Sequence, residues 1–303
     1  MPIDPSVAVG ADLGETRFSW ECSDVLLYHL AIGAGTDPTD PRELRYAYEK
    51  DLRVLPSFAT VAPNLRTYEP PTRLPPPPST EALRAAVPAK VSFPGVEIDL
   101  AKVVHGRQSV TVHRPIPVAG KAVARGRIVD VFDKGKAAVV VQETEVVDED
   151  GGPLWTALSS IFARGEGGFG GERGPSDKAE LPERAPDAIV QTATLPQQAL
   201  LYRLCGDRNP LHADPDFARG AGFDVPILHG LCTYGMVAKA VTDALLDGDP
   251  HRVRSWSARF AGIVLPGETL RTSIWAEGDR FLVTTHSVDR DAPVLADAVL
   301  TTH

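Results

Sequence analysis

The sequence predicts an α+β chain in which one unit is built twice: a central helix wrapped by a curved antiparallel sheet. Three observations carry this. Leu26-Leu27-Tyr28-His29-Leu30 returns 174 residues later as Leu200-Leu201-Tyr202-Arg203-Leu204, each with the apolar spacing of a short helix. Val112 to Gly120 is echoed 147 residues on by Arg259 to Gly267, and strand-like alternation follows both. Finally Leu231, Tyr234, Val237, Ala238, Val241 and Leu245 recur at three- and four-residue steps in a segment apolar nearly all round, as a buried helix requires.

The elements follow in order. In the first half, Lys121 to Val131 leads through Phe132-Asp133-Lys134-Gly135 into Ala137 to Val147, and Pro153 to Ala163 closes the meander. In the second half, Glu268 to Ala276 leads through Glu277-Gly278-Asp279 into Phe281 to Val288, closed by Pro293 to Thr302. The Gly in each turn supplies the positive φ of a tight reversal. The offset falls between the two echoes because the first half carries a longer connection, including Pro75-Pro76-Pro77-Pro78, which reads as an extended surface strap. Between the halves lies a glycine-rich stretch, Arg164 to Pro175. A dinucleotide fingerprint would need a helix opening at its last glycine; the sequel Pro175-Ser176-Asp177-Lys178 has no helical period, so the stretch reads as a linker. Each half is then a helix near its start, a second helix and a meander. The expected organisation is a double hot dog: a first repeat over 1–163, a linker over 164–180 and a second repeat over 181–303.

Bulk composition narrows the function classes. With 43% hydrophobic and 23% charged residues the chain is that of a globular protein, and a net charge of -9 argues against a nucleic-acid binder. No apolar run approaches the ~18–20 residues that span a bilayer. No basic and then apolar leader opens the chain, and Thr301-Thr302-His303 is not a peroxisomal tripeptide, so a bacterial cytoplasmic location is expected. Cys22, Cys205 and Cys232 are widely spaced and odd in number, and read as reduced thiols.

The densest polar constellation runs from Tyr202 to Pro215, followed by Pro226-Ile227-Leu228-His229-Gly230-Leu231-Cys232. Asp207 and His212 flank a Pro-containing turn that can aim both at one point. A carboxylate and an imidazole converging on a water form an acid–base pair, because imidazole titrates near neutrality. Asn209 between them offers a donor and an acceptor to fix their geometry. Gly230 stands just before the buried helix, where an N–H with no helical partner suits a carbonyl oxygen becoming enolate-like. Against this, a loop Asp or His is more commonly a turn former or a surface group. His212, Asp214 and the distal His229 also imitate a two-His-one-carboxylate metal set, but Asp214-Pro215 has the look of a turn rather than a barrel strand. Nucleophile readings fail: no Gly-x-Ser-x-Gly is present, and Cys205 and Cys232 sit in apolar helical settings.

These residues resemble the R-specific (type 2) enoyl-CoA hydratases, the MaoC-like dehydratases. The match runs through Tyr202-Arg203-Leu204, Gly206-Asp207, Asn209-Pro210-Leu211-His212, Asp214-Pro215, Ala218, Gly222-Phe223 and Pro226 to Cys232, with weaker similarity over most of the chain. The resemblance implies hydration of trans-2-enoyl-CoA to (3R)-3-hydroxyacyl-CoA, with no metal or other cofactor. It implies a catalytic role for Asp207 and His212, support from Asn209, and an oxyanion contact at Gly230. It also implies acyl-CoA contacts at His105, Gly106, Lys134 and Phe260, alongside Arg208, Pro210 and Leu211 of the signature loop. Cys205 departs from the family's usual Ser; little effect is expected. Under the 174-residue offset the first-half partners of Asp207 and His212 are Gly33 and Pro38, so the first repeat should be catalytically silent and shape room for the acyl chain. The rival functions are a hot-dog thioesterase and a non-catalytic acyl-CoA-binding protein. A homodimer is expected, and a monomer is compatible with the same fold.

Overall fold

The computed structural model describes residues 3–65, 90–99, 102–175 and 178–303. The proline run 75–78 lies outside them. Ten strands form one antiparallel sheet: β1 (Asp12–Trp20), β4 (Val103–Val112), β5 (Gly120–Asp133), β6 (Ala137–Asp148) and β7 (Pro153–Arg164) from the first half. β8 (Ala188–Ala193), β9 (Val253–Phe260), β10 (Thr269–Glu277), β11 (Arg280–Ser287) and β12 (Ala292–Thr302) come from the second. Their order is β1-β5-β6-β7-β4-β9-β12-β11-β10-β8. Read inward from either edge, the halves have the same topology, which is the double hot dog in one chain. The meander strands stand where the alternation places them. The structure adds to each half an edge strand (β1, β8) and a seam strand (β4, β9).

The seam joins the halves through main-chain bonds. Arg107 pairs with Arg259, Ser109 with Ser257 and Thr111 with Ser255, a self-complementary antiparallel register with a pseudo-two-fold axis at its centre. Two cations directly opposite repel; Arg259 is compensated by Asp297, 2.6 Å away. Tyr28 of α2 (Cys22–Ala31) and its counterpart in the 174-residue repeat, Tyr202 of α4 (Gln198–Tyr202), bring their rings to 6.3 Å. One hydrophobic core spans both halves, with Trp20, Trp155, Phe58, Tyr234 and Trp256 among its fully buried rings. A smaller core lies around Ile128, Val140 and Ile98, under the short α1 (Pro5–Ala8) and the hairpin of β2 (Lys90–Phe93) and β3 (Val96–Asp99).

The two halves fill their sheets differently. The second carries the buried helix α6 (Gly230–Leu245), after the short α5 (Pro215–Gly220). Tyr234 Oη donates to Trp256 O at 2.6 Å, and Trp256 Nε1 donates back to Tyr234 O at 3.1 Å, tying α6 to β9. Gly235 is required there: a Cβ would stand 2.5 Å from the Tyr28 hydroxyl. In the first half, among the described residues, α3 (Pro41–Ala47) is followed by two short 3-10 turns, Pro56–Thr60 and Ala62–Asn64, in place of a long helix. Pro56 stands 174 residues before Gly230, so a residue with no N–H occupies the position that opens α6 in the other half.

The glycine-rich stretch folds back on the β5–β6 hairpin. Asp133 accepts N–H bonds from Gly135, Gly168 and Gly170 at 2.7–2.9 Å, and these hold its carboxyl below the usual carboxylate range. Its amides therefore serve the chain's own carboxylate rather than a phosphate. The three cysteines are free thiols.

Candidate active site

The turn carrying Asp207 is a relay of short side chains capping the backbone. Gly206 takes φ +114, and a Cβ there would meet the carbonyl oxygen of Asn64 at 2.5 Å, so only glycine lets this turn press against the first half. Asp207 Oδ1 then accepts the Asn209 N–H (3.1 Å), and Asn209 Oδ1 accepts the Leu211 N–H (3.0 Å). Pro210 opens the 3-10 turn Pro210–His212 at the one position where its missing N–H does no harm. Asn209 thereby sets the short path from Asp207 to His212.

His212 is 9% exposed, and its Nδ1 lies 2.8 Å from Ile227 O. A carbonyl only accepts, so Nδ1 carries the hydrogen and Nε2 of the neutral ring offers a lone pair. Burial lowers the His212 pKa from its ordinary 6.5, favouring this neutral form. Asp207, by contrast, is exposed. One donor atom from each of Asp207, His212 and His229 lies within 4.8 Å of the other two, so a single small molecule can touch the pair.

Gly230 begins α6 and is exposed, its N–H among the first-turn donors that have no intrahelical partner. Beside it, a Cβ at Gly230 would crowd the Phe260 ring at 3.1 Å, so that ring would have to give by a few tenths of an ångström to admit a larger residue. Phe260 ends β9, and its ring centroid is 4.6 Å from that of His105 on β4. His105 Nε2 is 3.1 Å from Ser159 Oγ; burial pushes its pKa down to about 4, and the charge of Asp207 acts on it in the opposite sense. Gly106 occupies a bulge in which the β4–β7 register shifts between His105 and Arg107, and a Cβ there would stand 2.8 Å from Ser160 Oγ. Strands of both halves therefore meet at one helix end.

Other expected contacts lie further out. Lys134, on the β5–β6 hairpin, donates from Nζ to Pro175 O at 3.2 Å and sits over the Phe132 ring. Arg208 is exposed on the Asp207 loop, and Leu211 O accepts the Ile227 N–H at 3.4 Å. A cavity of about 260 Å³ opens beside Asp207 and Arg208, walled by Tyr202, Cys205, Gly206 and Leu231 and, from the first half, by Thr60, Val61 and Asn64. Sequence reasoning did not find those three first-half residues. Continuing the 174-residue offset as far as Pro56 would have placed their turn opposite α6. At the matching place in the first half, Leu55 N–H is taken by His29 Nε2 at 3.2 Å, while His29 Nδ1 bonds Tyr46 O at 2.8 Å. That end is closed by the chain itself.

A double hot dog with an acid–base cluster in one half and a plugged counterpart in the other is thus on view. The MaoC like domain matches residues 177–297, and the MFE-2 hydratase 2 N-terminal domain matches residues 18–165. The chain is 51% identical over 299 residues to enoyl-CoA hydratase ChsH3 of Mycobacterium tuberculosis, covering 99% of this chain and 98% of that one. It is 37% identical to the peroxisomal enoyl-CoA hydratase 2 of Arabidopsis thaliana, covering 95% and 92%. The crystal structure of a MaoC-like dehydratase from Phytophthora capsici superposes with a TM-score of 0.80 at 28% identity, covering 97% and 96%. The chain belongs to the MaoC-like, hydratase 2 family of double hot-dog proteins.

Proposed function

We propose that this protein hydrates trans-2-enoyl-CoA thioesters reversibly to (3R)-3-hydroxyacyl-CoA, using Asp207 and His212 on a single water. The observation that carries the reading is their convergence: an exposed carboxylate and a buried imidazole come within 4.8 Å of each other and of His229, the residue before the open N-terminus of α6. Water held between them attacks C3 as the pair takes up one of its protons, and a proton is delivered to C2. The Gly230 N–H, backed by the α6 dipole, receives the negative charge that develops on the thioester oxygen. Asn209 fixes the turn, and Phe260, His105 and Gly106 line the approach. Lys134 and Arg208 supply positive charge for the phosphates of CoA. The R face of addition rests on the family resemblance.

The site works without a metal in this reading. His212 and His229 stack nearly parallel, with centroids 3.7 Å apart and 27° between planes. Lone pairs of stacked rings run side by side, whereas metal ligation needs them to converge on one ion in the plane of each ring. The first repeat, with Pro56 for Gly230 and Gly33 and Pro38 for the pair, gives room for the acyl chain through the cavity at Thr60, Val61 and Asn64. Among the described residues no helix is long and apolar enough to cross a membrane. In this reading the protein acts in the cytoplasm as a homodimer, a monomer being compatible with the same fold.

The test is loss of the ultraviolet absorbance of the conjugated enoyl thioester, read with a thiol dye and an R-specific coupling dehydrogenase. Hydration gives absorbance loss, coupled reduction of nicotinamide cofactor and no free thiol. Asp207→Asn and His212→Ala each lower turnover by at least about 10²–10⁴-fold. Thiol release would make the protein a thioesterase instead. Wild-type turnover in a folded Asp207→Asn protein would remove Asp207 from the chemistry.

A further inference from the structure

We propose that His229 is a positioning residue of this site: stacked on His212 and bonded to the backbone of Asp207, it holds both members of the pair at their working aim. The residue touches all three working parts. Its ring lies face to face on His212, centroids 3.7 Å apart. Its Nε2 is 3.3 Å from the Asp207 carbonyl oxygen, which can only accept, so Nε2–H is the donor. It is also the cap residue of α6, directly before Gly230. The Tyr202 ring lies 5.0 Å from it, tilted, and Tyr202 in turn meets Tyr28 at 6.3 Å. A chain of ring contacts therefore links His212, through His229 and Tyr202, to Tyr28 in the core.

The geometry explains why an imidazole suits the position. An aliphatic side chain could cover His212 but could not bond Asp207 O. An amide could make the bond but offers no six-electron ring face. His229 is 1% exposed, and burial, then the neighbouring His212, pushes it down to about 3, so both stacked rings stay neutral in the working range. The charged and titratable groups facing His212 are Asp207 on its own loop, Arg203 from the turn after α4, and His229 from the cap of α6. Removing the His229 ring admits water to one face of His212 and relieves the burial that keeps it neutral.

The inference rests on His212 belonging to the acid–base pair, and a double-mutant cycle separates the two ideas. In folded His229→Ala, kcat for an enoyl-CoA falls by about 10²-fold while KM moves by less than about threefold, and the acid limb of the kcat–pH profile shifts up towards 6.5. His229→Phe keeps a flat ring and loses the donor; its kcat falls by about tenfold with the acid limb unmoved. Should the alanine variant fail to fold, His229→Phe in the same cycle carries the test. Because His229 acts through the pair, the double variant His212→Ala/His229→Ala loses clearly less than the product of the two single losses, keeping only the part that runs through Asp207. Losses that multiply, or wild-type kcat in His229→Ala, overturn the role of His229 while leaving the pair intact. Wild-type turnover in His212→Ala overturns both.

Discussion

Gly206 of the second repeat lies against the backbone of Asn64 in the first, so closely that a Cβ would come within 2.5 Å of the Asn64 carbonyl. The turn that presents Asp207 is therefore braced from outside its own repeat. Gly206→Ala must force that turn away and also strains a left-handed φ. It is expected to cost about 2 kcal/mol in stability. A displacement near 1 Å at Asp207 would lower kcat by about 10²-fold. Thermal melting and steady-state kinetics read the two effects separately; a variant with unchanged kcat would show that the brace does not set the aim of Asp207.

The pH profile follows from His212. Its neutral form is the one that takes a proton, and burial lowers its pKa below the ordinary 6.5. Protonation on the acid side removes the base, so kcat falls as pH drops, with its midpoint below 6.5. A midpoint above 6.5 would mean that the working group is not a buried neutral imidazole.

Val61 walls the cavity from the first half and is buried. Val61→Phe fills part of the space beside Asp207 without touching the pair. Turnover of long or bulky enoyl-CoA substrates should fall by about tenfold or more, and that of crotonyl-CoA by much less. An unchanged chain-length profile would move the acyl chain elsewhere.

Lys239 on α6 reaches across the repeats. Its ammonium bonds Glu43 of α3 and Asp243 of its own helix, both at 2.7 Å, and lies over the Tyr46 ring. Lys239→Met would leave two partly buried carboxylates without their cation, at a cost of about 3 kcal/mol. Denaturant unfolding measures it; a change under about 0.5 kcal/mol would make the pair an ordinary surface bridge.

Much of the fold was legible because the long hairpins β5–β6 and β10–β11 obey period two and turn on glycine. The seam strands were not: β4 carries Gly106 in a bulge that interrupts the alternation, and β1 is an edge strand whose Glu15, Thr16 and Arg17 are all exposed. The convergence of Asp207 and His212 could be read from a spacing within one loop. The stacking of His229 could not, since ring contact between separate segments leaves no period. In the first repeat, Pro56 and Pro63 mark the replacement of a helix by 3-10 turns, a signal that gains meaning only once Pro56 is set against Gly230.

The β4–β9 ladder also bears on how the chain is born. β9 begins at Val253, so β4, β5, β6 and β7 are all synthesised before it. Until then the newest sheet ends in an unpaired strand, with Val110 and the rings of Phe58 and Tyr28 awaiting their cover. Such an edge recruits whatever strand comes first, including one from a neighbouring nascent chain. Fragments truncated before Val253 should therefore assemble edge to edge rather than persist as free half-molecules, with sedimentation as the readout. Timing during synthesis, rather than stability once complete, is the point at which this two-part molecule is most exposed to error.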